Sequence, residues 1–392
     1  MQSEDYVIEK TANGWVIACG GNSVLICARR RVAEVAVRAA RQALKSKISG
    51  VPCKGRKRNT GAVGGSGLDL TRSTLGPARR YSRAKCANLL PVPYATIRGA
   101  ASMTTAIPLK DITIFPVIEQ QGAFFDVLEF FPTLTKEVLD ENRSWLQPTF
   151  IDPASGRLVL CIQGFVIRTP HHNILIDSCV GNHKSRPARP FWNMMNSDRF
   201  EKGLAAAGVG VNDIDYVMCT HLHVDHVGWN TRLENGRWVP TFPKAKYVMA
   251  DRELAHWTQK ERDDPAGVPW ITDSVLPIVA AKREQVVKSD FVLNELVRFI
   301  PTPGHTIDHY SVLAGRPGAD ALITGDMIHS PIQGKYPELG MRADYDSPQA
   351  GRTRRKIFDR FCDEPTLMCL AHFPAPSTAR VRRWSDGYKF VA

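Results

Sequence analysis

The 392 residues are 43% apolar and 23% charged, an ordinary balance for a globular protein, with a sizeable core expected and room for two or three domains. No run approaches the ~18 apolar residues that a membrane span requires, and the first residues lack the basic, apolar and small-residue segments of a secretory leader. The net charge of +12 is uneven: residues 1–105 hold 18 Lys and Arg against 5 Asp and Glu, or +13, and the remainder holds 33 against 34, or −1. A basic tail is open to contact with nucleic acid or an anionic membrane, but most such runs are simply solvated. Neither is therefore expected as a partner. Nine cysteines without a C-x-x-C pair, several of them in apolar runs (Cys161, Cys219, Cys369), fit reduced thiols in a cytoplasmic protein better than a disulfide framework.

In chain order, residues 1–47 read as a small β-β-α module. Tyr6–Glu9 and Trp15–Ala18 are strands around the turn at Asn13-Gly14, and Arg31–Lys45 is a basic amphipathic helix. Residues 48–105, rich in Gly, Arg, Ser and Pro, read as a linker or disorder, with Met103 as an alternative start. From 106 to 392 strands alternate with helices, the pattern of a single large α/β layered domain. Strands are expected at 111–119, 157–169, 172–179, 214–220, 246–250, 297–301, 309–314, 320–325 and 366–371. Helices are expected at 193–207, stopped by Gly208, and at 252–261, 274–287 and 348–362, the last with Ser347 as N-cap and Pro348 at N1. The aromatic stretch 121–150 (Phe124, Phe125, Phe130, Phe131, Trp145) reads as packing, with a pocket wall or a dimer contact as the alternative.

The chemistry sits at the ends of these strands. Tyr216-Val-Met-Cys219 leads into Thr220-His-Leu-His-Val-Asp-His226, an H-x-H-x-D-H cluster of His221, His223, Asp225 and His226. Imidazole is the commonest ligand of zinc, and carboxylate supplies the usual oxygen. Pro303-Gly304-His305, Gly325-Asp326 and Ala371-His372 each follow another apolar run. Three histidines with a shared carboxylate suffice for one divalent ion, and two histidines, an aspartate and the same carboxylate for a second. Paired ions of this kind lie about 3.5–4 Å apart with a water or hydroxide between them, which becomes a nucleophile near neutral pH.

This series, H-x-H-x-D-H, then Pro-Gly-His, Gly-Asp and a late His, resembles that of the metallo-β-lactamase fold hydrolases over residues 107–392. The resemblance implies a four-layer αββα sandwich with a dinuclear site at one edge of its paired sheets. It implies His221, His223 and His305 on the first metal, Asp225, His226 and His372 on the second, and Asp326 bridging. Asp177, after Ile174-Leu-Ile176, matches an early Asp that orients the metal-binding loop without being a ligand. Redox members carry Glu where this chain has Val224, and a flavin domain that does not follow His372. Nucleic-acid-processing members carry an inserted domain, for which 79 residues from His226 to His305 and 46 from Asp326 to His372 leave little room.

Cys179-Val-Gly-Asn182-His-Lys184, the stretch from Thr220 to Asn230, and Gly325–Ser330 look like the subgroup of N-acyl-homoserine lactonases and methyl-parathion-type organophosphate hydrolases. Lactonases of that subgroup place a Tyr three residues after the bridging Asp. His329 stands there, free either to polarise a carbonyl or phosphoryl oxygen or to be held by a hydrogen bond. The reading is a hydrolase holding two divalent ions, zinc foremost, that opens a lactone or cleaves an ester of a small molecule. Asp225 passes on the proton and His329 is a catalytic candidate. Phosphotriester hydrolysis is the alternative, then β-lactam hydrolysis. A nucleic-acid-associated protein recruited by its basic extension is the reading from another class. Related enzymes imply a homodimer. Lys184 and Arg186 are anion-orienting candidates, more simply read as solvated charges, and His309 is read as structural.

Overall fold

The structure, a computed structural model, describes residues 6–11, 14–19, 22–27 and 105–392. The N-terminal strands β1 (Tyr6–Thr11), β2 (Gly14–Cys19) and β3 (Asn22–Cys27) form an antiparallel sheet in that order. The first two coincide with the expected hairpin, and β3 adds a strand that was not expected. The helix at 31–45, the linker up to residue 104 and Met103 lie outside the described residues. These strands belong to a unit separate from the remainder.

In the larger unit, β4 (Ile107–Leu109), β5 (Ile112–Asp126), β6 (Arg157–Arg168) and β7 (Asn173–Ile176) pair antiparallel in sequence order. Between β5 and β6 the chain forms α1 (Val127–Phe130) and α2 (Lys136–Leu146), so the aromatic stretch is part strand, with Phe124 and Phe125 in β5, and part helix. After α3 (Arg199–Ala206), β8 (Tyr216–Met218) pairs parallel to β7. A hairpin of β9 (Thr231–Glu234) and β10 (Arg237–Pro240) follows, then β11 (Lys246–Ala250), parallel to β8. Helices α4 (Asp251–Asp263), α5 (Pro269–Ser274) and α6 (Leu276–Ala280) lead to β12 (Glu284–Val287), which closes a seven-stranded sheet beside β11.

The second sheet has six strands in sequence order: β13 (Val297–Pro301), β14 (Tyr310–Arg316), β15 (Ala319–Ile323), β16 (Leu367–Cys369), β17 (Thr378–Trp384) and β18 (Gly387–Val391). Helices α7 (Ile332–Lys335) and α8 (Ser347–Phe361) cross between β15 and β16, which run parallel.

Because side chains alternate across a strand, each apolar run supplies two faces. Ile174, Ile176, Met218 and Val248 pack with Val312, Ala321, Ile323 and Cys369 in a core between the sheets. Leu175, Val217, Tyr247 and Met249 face the other way, toward Phe200 of α3, Trp257 of α4 and Ile271 of α5. Leu313, Leu322 and Met368 meet Ile357, Phe358 and Phe361 of α8. Helix, sheet, sheet, helix is the expected four-layer αββα order.

Three expectations need correction. The helix predicted at 193–207 is confined to α3. The helix predicted at 274–287 ends with α6: Lys282 turns to a φ of 54°, and 284–287 gains backbone partners along β11 that a helix would forgo. The N-cap of α8 is Asp346, whose side chain accepts the Gln349 N–H at 2.9 Å, one residue before the expected Ser347.

Candidate metal centre

Strands β7 and β8 run parallel, and so do β13, β15 and β16, so all five release their chains at carboxyl ends, where such sheets carry their chemistry. His221 to His226 follow β8, and His305, Asp326 and His372 follow β13, β15 and β16. Asp177, just after β7, fixes the start of the histidine loop. It accepts the Thr220 N–H and hydroxyl, each at 2.8 Å, and the His226 Nδ1–H at 2.9 Å. Two glycines allow the second sheet to reach the same point. Gly325 has a φ of +54°, and a Cβ there would stand 2.8 Å from Thr220 Oγ1 and 2.6 Å from His309 Nε2. Gly304 has a φ of +133° and lies against the backbone of Ala350 in α8.

These residues assemble into groups that could hold a metal ion. His221, His223, His305 and Asp326 form one, Asp225, His226 and His372 another, and Asp326, His329 and His372 a third, each with its ligand atoms within 4.8 Å of one another. Asp326 faces two ways. Its Oδ1 lies 3.0 and 2.9 Å from Nε2 of His226 and His372, and its Oδ2 lies 3.3 Å from Nε2 of His305.

The orientation of the imidazoles is that of a donor set. Nδ1–H of His226, His305 and His372 is given to Asp177, Asp344 and the Cys161 carbonyl, each at 2.9 Å. Nδ1 of His221 meets the Thr220 hydroxyl at 3.1 Å. The inward Nε2 atoms of His221, His226 and His372 and the Asp326 Oδ1 are buried without a hydrogen-bond partner. His223 Nδ1 and His305 Nε2 face each other at 2.9 Å. Buried polar atoms left in this state are costly, and a cation satisfies them together.

Charge agrees. Burial pushes the His221 and His223 imidazoles well below their ordinary pKa, keeping them neutral. Burial also disfavours charge on His305, but Asp326 and then Asp344 outweigh it and hold its pKa up to about 9. The attraction that would draw a proton there also draws a metal cation.

His329 is buried, with Nε2 3.1 Å from Asp326 Oδ2, its ring stacked on His372 at 5.1 Å and the Phe130 ring edge-on at 5.4 Å. The aromatic stretch thus contributes both core and a wall beside the site. His309 is held by Thr302 and accepts the Asp326 N–H at 2.9 Å, so it positions that residue's backbone. Lys184 and Arg186 are neither solvated nor directed at the centre. Both are buried on Asp273 of α5, Arg186 through two bonds of 2.7 and 2.8 Å, and Lys184 lies 3.8 Å from the centre of the Trp238 ring.

Several buried residues around the centre were not expected from the sequence. Glu119 accepts the N–H groups of Val180 and Gly181 and the indole of Trp229, tying the loop after Asp177 to the end of the histidine cluster. Arg354 of α8 donates to the carbonyls of Met327, Pro337 and Leu339, fixing the segment after Asp326. Glu253 joins the two loops that carry His221, His223 and His305. No local pattern marks these residues, because their partners are brought to them by the fold.

A family model described as the metallo-beta-lactamase superfamily matches residues 163–372. Solved structures of similar fold include the hydrolase AbOPH of the beta lactamase superfamily, with a TM-score of 0.61 and 22% identity over 73% of this chain and 96% of that one. AidC, a dizinc quorum-quenching lactonase, has a TM-score of 0.60 and 18% identity over 73% and 96%. A probable metal-dependent hydrolase from Staphylococcus aureus has a TM-score of 0.57 and 18% identity over 70% and 94%. At these identities the likeness is one of fold. The matched segment takes in every residue of the centre and more than half of the chain, and the chain belongs to the metallo-beta-lactamase superfamily.

Proposed function

We propose that this superfamily hydrolase uses two divalent ions, zinc foremost, to open a lactone or cleave an ester of a small molecule. The observation that carries the proposal is the convergence of inward imidazole nitrogens from both sheets on the two oxygens of Asp326. His221, His223 and His305 would hold one ion and Asp225, His226 and His372 the other, with Asp326 between them. When bound, the ions supply Lewis acidity at the substrate oxygen and a water acidic enough to lose its proton near neutral pH.

The chain's own residues do the rest. Asp225 is less buried than Asp326, and its oxygens stand 3.8–3.9 Å from the nearest imidazole nitrogens, too far for hydrogen bonds. A carboxylate oxygen of Asp225 is thereby left to take the proton of the attacking water. His329 donates from Nε2 to Asp326 Oδ2 and fixes that carboxylate's orientation, while Phe130 keeps water from its flank. The lactone reading is supported by the resemblance of the Thr220–Asn230 and Gly325–Ser330 segments to lactonases, and by the fold shared with AidC.

The phosphotriester reading keeps one specific support, His329 at the position of the lactonase tyrosine. Metal analysis of the purified protein, followed by a panel of acyl-homoserine lactones, aryl esters, phosphotriesters and β-lactams, tests the proposal. Two ions per chain and fastest turnover of lactones are expected. Fewer than one ion per chain, or full activity after chelation, would refute it, and fastest turnover of phosphotriesters would give the place to the second reading.

A further inference from the structure

Glu253 lies in the first turn of α4, outside every cation group of the centre, yet its carboxylate is only 1% exposed. Oε1 accepts the Leu222 N–H at 3.2 Å and the Trp257 indole N–H at 2.7 Å, and Oε2 accepts the Asp308 N–H at 3.2 Å. Leu222 stands between His221 and His223, and Asp308 stands three residues past His305. Trp270 of α5 closes the other side of Leu222 by donating to its carbonyl at 2.8 Å. Trp257, held by Glu253, sets its ring edge-on to His223 at 5.2 Å.

One side chain therefore ties together the two loops whose nitrogens meet at 2.9 Å as His223 Nδ1 and His305 Nε2. Its N–H donors are Leu222, between His221 and His223, Asp308, three residues past His305, and Trp257 against the His223 ring, and none of them adjoins Asp225, His226 or His372 in sequence. A carboxylate suits the task because its two oxygens offer about four lone-pair sites for the three N–H donors. Gln keeps the length but turns one acceptor into a donor facing an N–H.

We propose that Glu253 is a positioning residue for the His221, His223 and His305 group, setting the separation of its two loops and so the metal affinity of that group alone. The inference rests on the dinuclear reading above. Outer partners of metal ligands typically contribute about 10–100-fold to metal affinity.

The test is titration of metal-free protein with Co²⁺, followed by its visible absorption, in wild type, Glu253→Ala, Glu253→Gln, His305→Ala and His372→Ala. Wild type should bind two ions. Both Glu253 variants should bind one ion as wild type does and the other about 10–100-fold more weakly. The ion they retain should show the spectrum of His305→Ala. Unchanged affinity for both ions, equal weakening of both, or a retained spectrum matching His372→Ala would overturn the inference. A wild type that binds fewer than two ions rejects the dinuclear reading itself, and this inference with it. If Glu253→Ala proves unfolded by circular dichroism, Glu253→Gln decides on the same outcomes.

Discussion

His221, His226, His305 and His372 are each fixed from behind, and the residue behind sets how well the imidazole can serve as a ligand. Asp344 receives the His305 Nδ1–H and is buried, so Asp344→Asn should weaken metal binding and lower kcat/KM by about 10–100-fold, measured by metal titration and steady-state kinetics. His329 allows a sharper comparison. If it works through Asp326, Gln, whose amide can donate to Oδ2, should retain more activity than Ala at position 329, with kcat affected more than KM. Equal losses in the two variants would point instead to the imidazole itself acting on substrate. The ligand candidates were legible in the sequence because they sit in short motifs at strand ends. Asp344 and Glu253 were not, since they meet His305 and Leu222 across 39 and 31 residues of chain.

At the level of elements, β6 and β14 were legible as long apolar runs buried on both faces, and β8, β13, β15 and β16 as shorter apolar runs that end at the ligand motifs. Other elements were missed: the β9–β10 and β17–β18 hairpins and helices α1 and α2 depend on what they pack against. Helix α5 shows such dependence in its energetics. Its Asp273 neutralises two buried cations, Lys184 and Arg186, and so anchors the loop that follows Asp177. Asp273→Asn would leave the Arg186 guanidinium buried without a counterion and should cost about 3–5 kcal/mol in urea unfolding.

Lys184 has a separate signature. Burial pushes its amine from its ordinary value down to about 7. Between those values the unfolded chain binds the proton that the folded chain gives up, so this residue makes stability rise with pH above 7 and fall toward it. Lys184→Met keeps the Arg186–Asp273 pair and should flatten that slope between pH 7 and 8.5, the difference from wild type approaching about 1.4 kcal/mol per pH unit. An identical slope in the two proteins would show that Lys184 stays charged when buried.

At the scale of the molecule, the centre lies where the two sheets meet, with His221–His226 supplied by one and His305, Asp326 and His372 by the other. Bound ions would therefore join the sheets, and removing them with a chelator should lower Tm, since a ligand at 1,000 times its Kd contributes about 4 kcal/mol to stability. Calorimetry of loaded and stripped protein measures this, and coincident transitions would mean that the sheets hold without ions. The N-terminal charge is a separate matter. The matched family segment, residues 163–372, lies wholly outside residues 1–105, and the +13 of those residues has no counterpart in a remainder of net −1. Removing residues 1–104 should thus leave kcat, metal content and Tm of the hydrolase domain within error of the full chain, while retention on a polyanionic resin falls as salt screens what charge is left. A loss of activity without loss of metal would assign the extension a part in substrate access. Unchanged retention on immobilised nucleic acid would remove the case for a nucleic-acid-associated role, because no other region of the chain carries a comparable excess of positive charge.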